Sequence, residues 1–294
     1  MKKLTVFTPA FNRAYCIHQL YESLLRQTNQ EFIWLVIDDG SSDNTKDLIQ
    51  KWIYENKIEI RYIYQENQGM HGAHNTAYEN IDTELNVCID SDDYMTDNAV
   101  ELILKKWDGI EDKTNISGIV GLDYDIKGRV IGSTFPDNLK ISSLNDIYDK
   151  FKVKGDKKLV LRTEIVKKYP SYPIFEDERF VPLGTLYLMI DQKYQLLCLN
   201  KALCIVEYMA DGSTMNIFKQ YKRHPKGFRY ARTIELKYKT GFKTKLIKIL
   251  HLISSTIYIK DFKFFRDNPN KLLTFCLLPI GLIFHLFVNI KAKK

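Results

Sequence analysis

Three carboxylates stand within four positions in Asp90-Ser91-Asp92-Asp93, directly after Leu85-Asn86-Val87-Cys88-Ile89. Acids this close repel one another unless something positive sits among them. A hard divalent cation takes oxygen ligands, and Mg²⁺ typically uses one or two carboxylates plus phosphate oxygens. The chemistry this spacing suggests is therefore metal-assisted binding of a diphosphate. The plainer alternative is that Ser91 or Asp93 caps the next helix and that Asp90 and Asp92 are solvated loop acids. Two further acidic groups are Asp38-Asp39, opening a run of turn formers through Thr45, and Glu176-Asp177-Glu178 in an irregular stretch. Gly69 and Gly72, in Gln68-Gly69-Met70-His71-Gly72-Ala73-His74-Asn75, permit close backbone approach.

These groups need a scaffold. An apolar run such as 85–89 suits a central parallel strand buried on both faces. Open α/β sheets bind ligands at the carboxyl ends of such strands. The pattern predicts strands at 4–8 (ended by Pro9), 32–37, 58–64 and 85–89. Helices are expected between them, carrying Ile17, Leu20, Leu24 and Leu25, then Leu48, Ile49, Trp52 and Ile53. A helix follows the glycine loop, after Asn75 and to about Glu79, and Thr96 or Asp97 caps another through Trp107. Strand–helix alternation at this pitch predicts βαβ units and a mostly parallel sheet. The second half is less regular. Strands are expected at 116–122 and 158–161, an edge piece at 130–131, and helices at 164–168 and 183–191. Residues 195–208 read as an extended pair turning near Asn200-Lys201.

The 294 residues suffice for one large domain plus an appendage. Five scattered cysteines with no CxxC pair imply a reducing compartment, without a disulfide framework or zinc site. The first residues hold too short an apolar run for a signal peptide. The net charge of +7 is unevenly spread. Residues 219–294 hold 18 Lys/Arg against Glu235, Asp261 and Asp267; the other 218 residues hold 25 basic and 33 acidic side chains. A basic tail on an acidic body seeks an anionic partner. Its apolar stretches, 246–259 and 272–290, predict amphipathic helices lying in a membrane interface through residues 243–294, with a spanning helix at 272–290 or a helical pair closing the soluble core as the alternatives. Each basic side chain near an anionic leaflet adds about 1 kcal/mol. Because its charges alternate with long apolar runs, nucleic acid is not the expected partner.

Four motifs now stand in order: Thr8-Pro9-Ala10-Phe11-Asn12-Arg13, Asp38-Asp39-Gly40-Ser41-Ser42-Asp43, Asn67-Gln68-Gly69 with Ala73-His74-Asn75, and Ile89-Asp90-Ser91-Asp92-Asp93. In order and spacing, residues 1–107 resemble family 2 glycosyltransferases of the GT-A fold. Gly155-Asp156-Lys157, Val160 to Glu164, the loop from Phe175 to Pro182, and Glu207-Tyr208 with Asp211-Gly212-Ser213 are similar to the branch acting in bacterial cell-surface polysaccharide synthesis. The implied fold is a GT-A-type doubly wound α/β sheet, mostly parallel, with helices on both faces and a C-terminal helical membrane-associating extension. The implied division is a nucleotide-sugar-binding half (1–107), an acceptor-side half (108–218) and the basic tail (219–294).

The resemblance implies inverting transfer of a hexosyl or N-acetylhexosaminyl group from a nucleotide-sugar donor, with uridine favoured. The acceptor is a glycan or lipid-linked glycan, met at the cytoplasmic face of a bacterial membrane. Mn²⁺ or Mg²⁺ would sit on Asp92 and Asp90. Donor contacts fall on Pro9, Ala10, Asn12, Arg13, Asp38, Asp39, Gly69, His74, Asn75, Asp90 and Ser91. Asp38 and Asp39 are not separated as base readers, and Asp90 is the choice for the ribose. The general base falls in Glu176-Asp177-Glu178, with Asp177 ranked first and Glu178 next; repulsion among three acids can raise one pKa. The chain departs from the pattern at Met70 and His74, where many relatives carry basic residues, and at Leu183, where most carry Glu after Pro. The first two leave open an inactive partner subunit, and the missing Glu bears on acceptor binding. A nucleotidyltransferase lacks support, because no Gly-rich basic loop follows the first strand. Self-association is left open.

Overall fold

The computed structural model describes residues 2–207, 217–238, 241–261, 268 and 270–293. Tyr208, Asp211, Gly212 and Ser213, named above for their resemblance, lie outside the described residues. The chain divides into two compact units. Unit 1 comprises Met1–Asn67, Gly72–Ser171 and Leu186–Tyr208; unit 2 comprises Gln68–His71, Tyr172–Thr185 and Met209–Lys294.

Unit 1 is built on one nine-stranded sheet. Strands β1 (Leu4–Ala10), β2 (Phe32–Asp38), β3 (Ile60–Tyr64) and β4 (Leu85–Cys88) are all parallel, in the order β3-β2-β1-β4. Every residue of β1 and β2 is buried, as expected of strands covered on both faces. Pro9 does not end β1. Pairing with β4 stops at Phe7 opposite Cys88, so on that side Pro9 has no ladder partner to deprive of an N–H. Helices α1 (Ile17–Leu25), α2 (Thr45–Glu55) and α3 (Met70–Asn80) are the crossovers. Helix α1 buries Ile17, Leu20, Tyr21 and Leu24, and Tyr21 stacks on Trp52 of α2 at 4.1 Å. Each such side chain contributes roughly 1.5–3 kcal/mol of burial. Helix α3 begins at Met70, six residues earlier than the sequence suggests, so His71 and His74 are helical.

Strand β5 (Tyr94–Met95) and helix α4 (Ala99–Asp108) follow. The second half adds β6 (Ile116–Asp125), β7 (Ile141–Ser142), α5 (Leu144–Asp149), β8 (Lys157–Arg162), α6 (Thr163–Val166), α7 (Gly184–Asp191) and β9 (Gln195–Val206). Strand β8 lies antiparallel between β4 and β6, while β6 and β9 are parallel. The expected hairpin at 195–208 is one strand. Both its halves pair in the same direction with β6, and the polar residues near 200 form a register shift rather than a turn. Asn200 is held there by reciprocal amide bonds to the backbone of Phe135, 2.9 Å each.

In unit 2, α8 (Ile217–Arg223), α9 (Pro225–Lys237), α10 (Phe242–Ile259) and α11 (Lys271–Lys291) carry the basic tail. Helix α11 buries Thr274, Gly281 and Val288, seven residues apart. Gly281 is needed for close packing, since a Cβ there would come within 2.7 Å of Ile253 on α10. His285 turns its ring to Ser254 and Asn289, so the polar interruptions of the apolar run bond inward. Leu272, Phe275, Leu282, Ile283, Leu286 and Ile290 stay more than half exposed. The helix is long and apolar enough to cross a membrane, by length and composition alone.

Candidate active site

In unit 1 the acids sit where parallel strands end. Asp38 closes β2 and Asp39 follows; Ala10 closes β1; Asp90, Ser91, Asp92 and Asp93 come just after β4. The two acids of the first pair are both buried and take different partners. Asp38 is fully buried and its oxygens are taken: Oδ2 accepts from the Tyr62 hydroxyl at 2.5 Å and Oδ1 from the Ser41 N–H at 2.8 Å. Burial and then Asp38 push the Tyr62 pKa above its ordinary value, so the hydroxyl stays a donor. Asp38 thus organises the turn. Asp39 accepts from the Gln65 amide at 2.7 Å, and its own N–H donates to the Ala10 carbonyl.

Asn12 adopts the left-handed conformation (φ 55°) and its side-chain oxygen accepts from the N–H groups of Ser42 and Asp43. The Arg13 N–H donates to Thr45 Oγ1. These bonds lace the loop after β1 to the loop after β2. The Arg13 guanidinium is half-buried. Burial opposes its charge, but Tyr15 and Asp92 outweigh that and hold its pKa above the usual value.

Asp90 and Asp92 are half-exposed, whereas Asp93 is buried. The positive charge that the acid cluster requires is partly supplied within the chain. Lys158, on β8, places its ammonium 3.8 Å from Asp93 and holds a raised pKa through Cys204, Asp123, Asp90 and Asp93 despite burial. Asp93 also accepts from the Glu207 N–H. Burial, with Asp90 and Asp92 nearby, pushes its pKa up to about 7 even against Lys158. Asp93 is therefore held by the fold, while Asp90 and Asp92 form the accessible edge. No cluster of three or more His, Cys, Asp or Glu side chains among the described residues is set to hold a metal by itself. Two hard carboxylates at an open edge still suit a cation that takes its remaining ligands from phosphate and water.

Lys158 was not foreseen. Its neighbour Lys157 points the other way and donates to the carbonyls of Ile131, Lys154, Gly155 and Asp156. The available signal was a pair of lysines opening an otherwise apolar strand.

The glycine-loop residues part company. His74 is buried, with Nδ1 3.2 Å from the Tyr78 hydroxyl, Nε2 3.6 Å from Cys88 Sγ and its ring edge-on to Phe7. This is the setting of a core histidine. Asn75 is half-exposed, and Gly69 is buried.

In unit 2 the acid loop also resolves. Glu178 is 3% exposed, and its two oxygens accept from the N–H groups of Lys226 (2.8 Å) and Gly227 (2.9 Å) in the first turn of α9. It supplies the acceptors that a helix start lacks. Burial raises its pKa. Asp177 is exposed and paired with the Lys226 ammonium at 2.5 Å, which lowers its pKa. The raised pKa expected in this triple thus belongs to the helix-capping residue, and burial rather than repulsion is its main cause. Arg179 closes the loop on itself, donating to the carbonyls of Phe175, Glu176 and Glu178.

Beside this loop His71 is fully buried with neither ring nitrogen hydrogen-bonded, and His224 accepts from the Arg179 N–H. Burial lowers both pKa values to about 4, helped at His71 by His224 and Arg179 and at His224 by Arg223 and Arg179. In the unfolded chain they titrate near 6.5, so between these values the unfolded state binds more protons. Their contribution is complete above about pH 6.5 and is lost as pH falls toward 4, by up to about 3 kcal/mol each. Hydrogen exchange at pH 7 and pH 4.5 is expected to show the acid loop and α9 losing protection before the sheet; equal protection at both pH values would contradict this.

The family model described as "Glycosyl transferase family 2" matches residues 5–168. A chondroitin synthase of Pasteurella multocida (strain Pm70) is 35% identical over 111 residues, 38% of this chain and 11% of that protein. A teichoic acid poly(glycerol phosphate) polymerase of Staphylococcus epidermidis is 31% identical over 112 residues, 38% of this chain and 16% of that protein. The matches therefore span less than a fifth of these relatives. Among solved structures, S. aureus TarS 1–349 in complex with UDP-GlcNAc superposes with a TM-score of 0.61 at 18% identity, covering 97% of this chain and 89% of that one. The mannosyltransferase PcManGT from Pyrobaculum calidifontis, in complex with GDP-Man and Mn²⁺, gives 0.57 at 13% identity, covering 99% and 84%. These likenesses show the GT-A fold.

Proposed function

The chain belongs to glycosyltransferase family 2, and from that premise we propose that it is an inverting transferase that moves a hexosyl or N-acetylhexosaminyl group from a UDP-sugar to a hydroxyl of a glycan or lipid-linked glycan. The carrying observation is the convergence of Arg13, Asp39, Asp90 and Asp92 at the carboxyl ends of β1, β2 and β4, where open α/β sheets bind nucleotides. The relatives named for polysaccharide synthesis and the neighbour holding UDP-GlcNAc support the same substrate class.

In this reading Asp39 accepts from the base, with Pro9 and Ala10 bordering it, and Asp90 bonds the ribose. Asp92 and Asp90 would hold Mn²⁺ or Mg²⁺, which would supply charge neutralisation at the leaving diphosphate. Arg13 is the chain's own cation beside Asp92. Asp177 is the general base that takes the acceptor proton; its exposure leaves it accessible, and Lys226 keeps it ionised. Glu178 secures the loop. Gly69 and Asn75 remain donor-side candidates through their loop, whereas the burial of His74 and the backbone lacing of Asn12 and Asp38 favour structural roles for all three.

The tail serves as a monotopic anchor on the cytoplasmic membrane face. The bare apolar side of α11, flanked by Lys271, Lys291 and Lys293, supports this. A cavity of about 470 Å³ in unit 2 is lined by Phe175, Lys226, Arg229, Tyr230, Leu252 and Asp261, with both cations paired to acids. The full chain is expected to float with anionic vesicles, and Ile283→Glu with Leu286→Glu to release it while it stays folded. Flotation unchanged by that pair would refute the anchor. Transfer of labelled sugar from a UDP-sugar into a lipid-phase or glycan product tests the function; release of free sugar from no donor, with every acceptor silent, would favour an inactive subunit.

A further inference from the structure

The nucleotide-sugar reading assigns Asp39 to the base but does not say which bases it admits. The side chain bonded to Asp39 is Gln65, just past the end of β3. Its backbone N–H donates to the Asp38 carbonyl at 2.9 Å, which fixes the residue beside the β2 end. Its side-chain amide donates from Nε2 to Asp39 Oδ1 at 2.7 Å. That bond fixes the amide orientation, because the reverse flip would set the amide oxygen against a carboxylate oxygen. The Gln65 Oε1 atom is then buried without a hydrogen-bond partner. An unmet buried acceptor is unfavourable.

We propose that Gln65 is a second reader of the nucleobase, and that with Asp39 it selects bases carrying a ring N–H beside a carbonyl: uracil, thymine or guanine rather than cytosine or adenine. An amide nitrogen carries two hydrogens, and Asp39 takes one. The other can donate to a base carbonyl. A carboxylate offers about four acceptor positions and can take a ring N–H in addition to the Gln65 bond. Carboxylate and amide N–H side by side therefore present acceptor then donor. Uracil and thymine match this with N3–H and O4, and guanine with N1–H and O6. Cytosine and adenine present the reverse, a bare ring nitrogen beside an amino group, so both contacts become like against like. Leaving buried polar groups unpaired is the strong form of discrimination.

The test rests on the nucleotide-sugar reading and separates its failure from that of the proposal. Dissociation constants of UDP, GDP, CDP and ADP would be measured by calorimetry for the full chain, for Gln65→Met and for Gln65→Ala, with thermal melts confirming that each variant folds. The wild type is expected to bind UDP or GDP at least about tenfold tighter than CDP and ADP. Both variants should lose most of that preference by weakening toward UDP or GDP, not by tightening toward CDP or ADP. A wild type that binds CDP or ADP as well as UDP and GDP overturns the proposal without any variant. Folded variants that keep the wild-type ratio also overturn it. A wild type that binds none of the four nucleotides overturns the donor reading as well.

Discussion

Asp177→Asn is expected to lower kcat by about 10²–10⁴-fold while leaving the melting temperature within about a degree of wild type. The first magnitude is the usual worth of a positioned general base. The second follows from exposure. Asp177 pairs with the Lys226 ammonium at the surface, and an exposed ion pair contributes little to stability. Glu178→Gln should behave in the opposite way. Its carboxylate holds two N–H groups at the start of α9, one of them in buried Gly227. Loss of that charge-assisted cap is expected to cost about 1–3 kcal/mol, with turnover per folded molecule changed only a few-fold. Steady-state kinetics beside denaturant melts reads both. A stable, active Asp177→Asn together with a stable, inactive Glu178→Gln would reverse the assignment.

Gly69→Ala is expected to be the most disruptive single-methyl change in the acid-loop region. Gly69 has φ 83°, and a Cβ there would lie 2.0 Å from the Arg179 carbonyl oxygen and 2.6 Å from its carbon. The obstacle is backbone and cannot rotate aside. The left-handed conformation alone costs about 1–2 kcal/mol for a non-glycine residue. The clash adds displacement of the whole acid loop, so a total of at least about 3 kcal/mol is expected. Gly128→Ala isolates the two causes, because Gly128 has φ 74° with nothing within 4 Å of the added carbon. It should cost only about 1–2 kcal/mol. If the two variants melt alike, the tight approach of Gly69 to Arg179 does not hold the loop.

The sequence reveals those parts of the site whose causes are local. The apolar run before Asp90 marks a buried parallel strand, and the acids after it mark the strand's carboxyl end. What it could not reveal depends on distant partners. Asp38 and Asp39 are chemically identical and adjacent; they differ because Tyr62, on the neighbouring strand, reaches one and Gln65 the other. In the Glu176-Asp177-Glu178 triple, the outcome is decided by backbone N–H groups 48 and 49 residues further on. Asn200-Lys201 has turn composition, but its amide is claimed by Phe135 across 65 residues, so the strand kinks without reversing. The need for a positive charge among the acids was legible from electrostatics alone. That Lys158 supplies part of it was not, because the lysine arrives on a strand antiparallel to β4.

The most direct test of the central claim is calorimetric titration of the full chain with UDP-sugars, with Mn²⁺ or Mg²⁺ and then with EDTA, in wild type and Asp92→Ala. Metal-dependent binding of one nucleotide sugar, lost with EDTA and in Asp92→Ala while the fold is retained, is the predicted result. Binding that is indifferent to metal and to Asp92, or no binding to any donor by folded wild-type protein, would contradict the account.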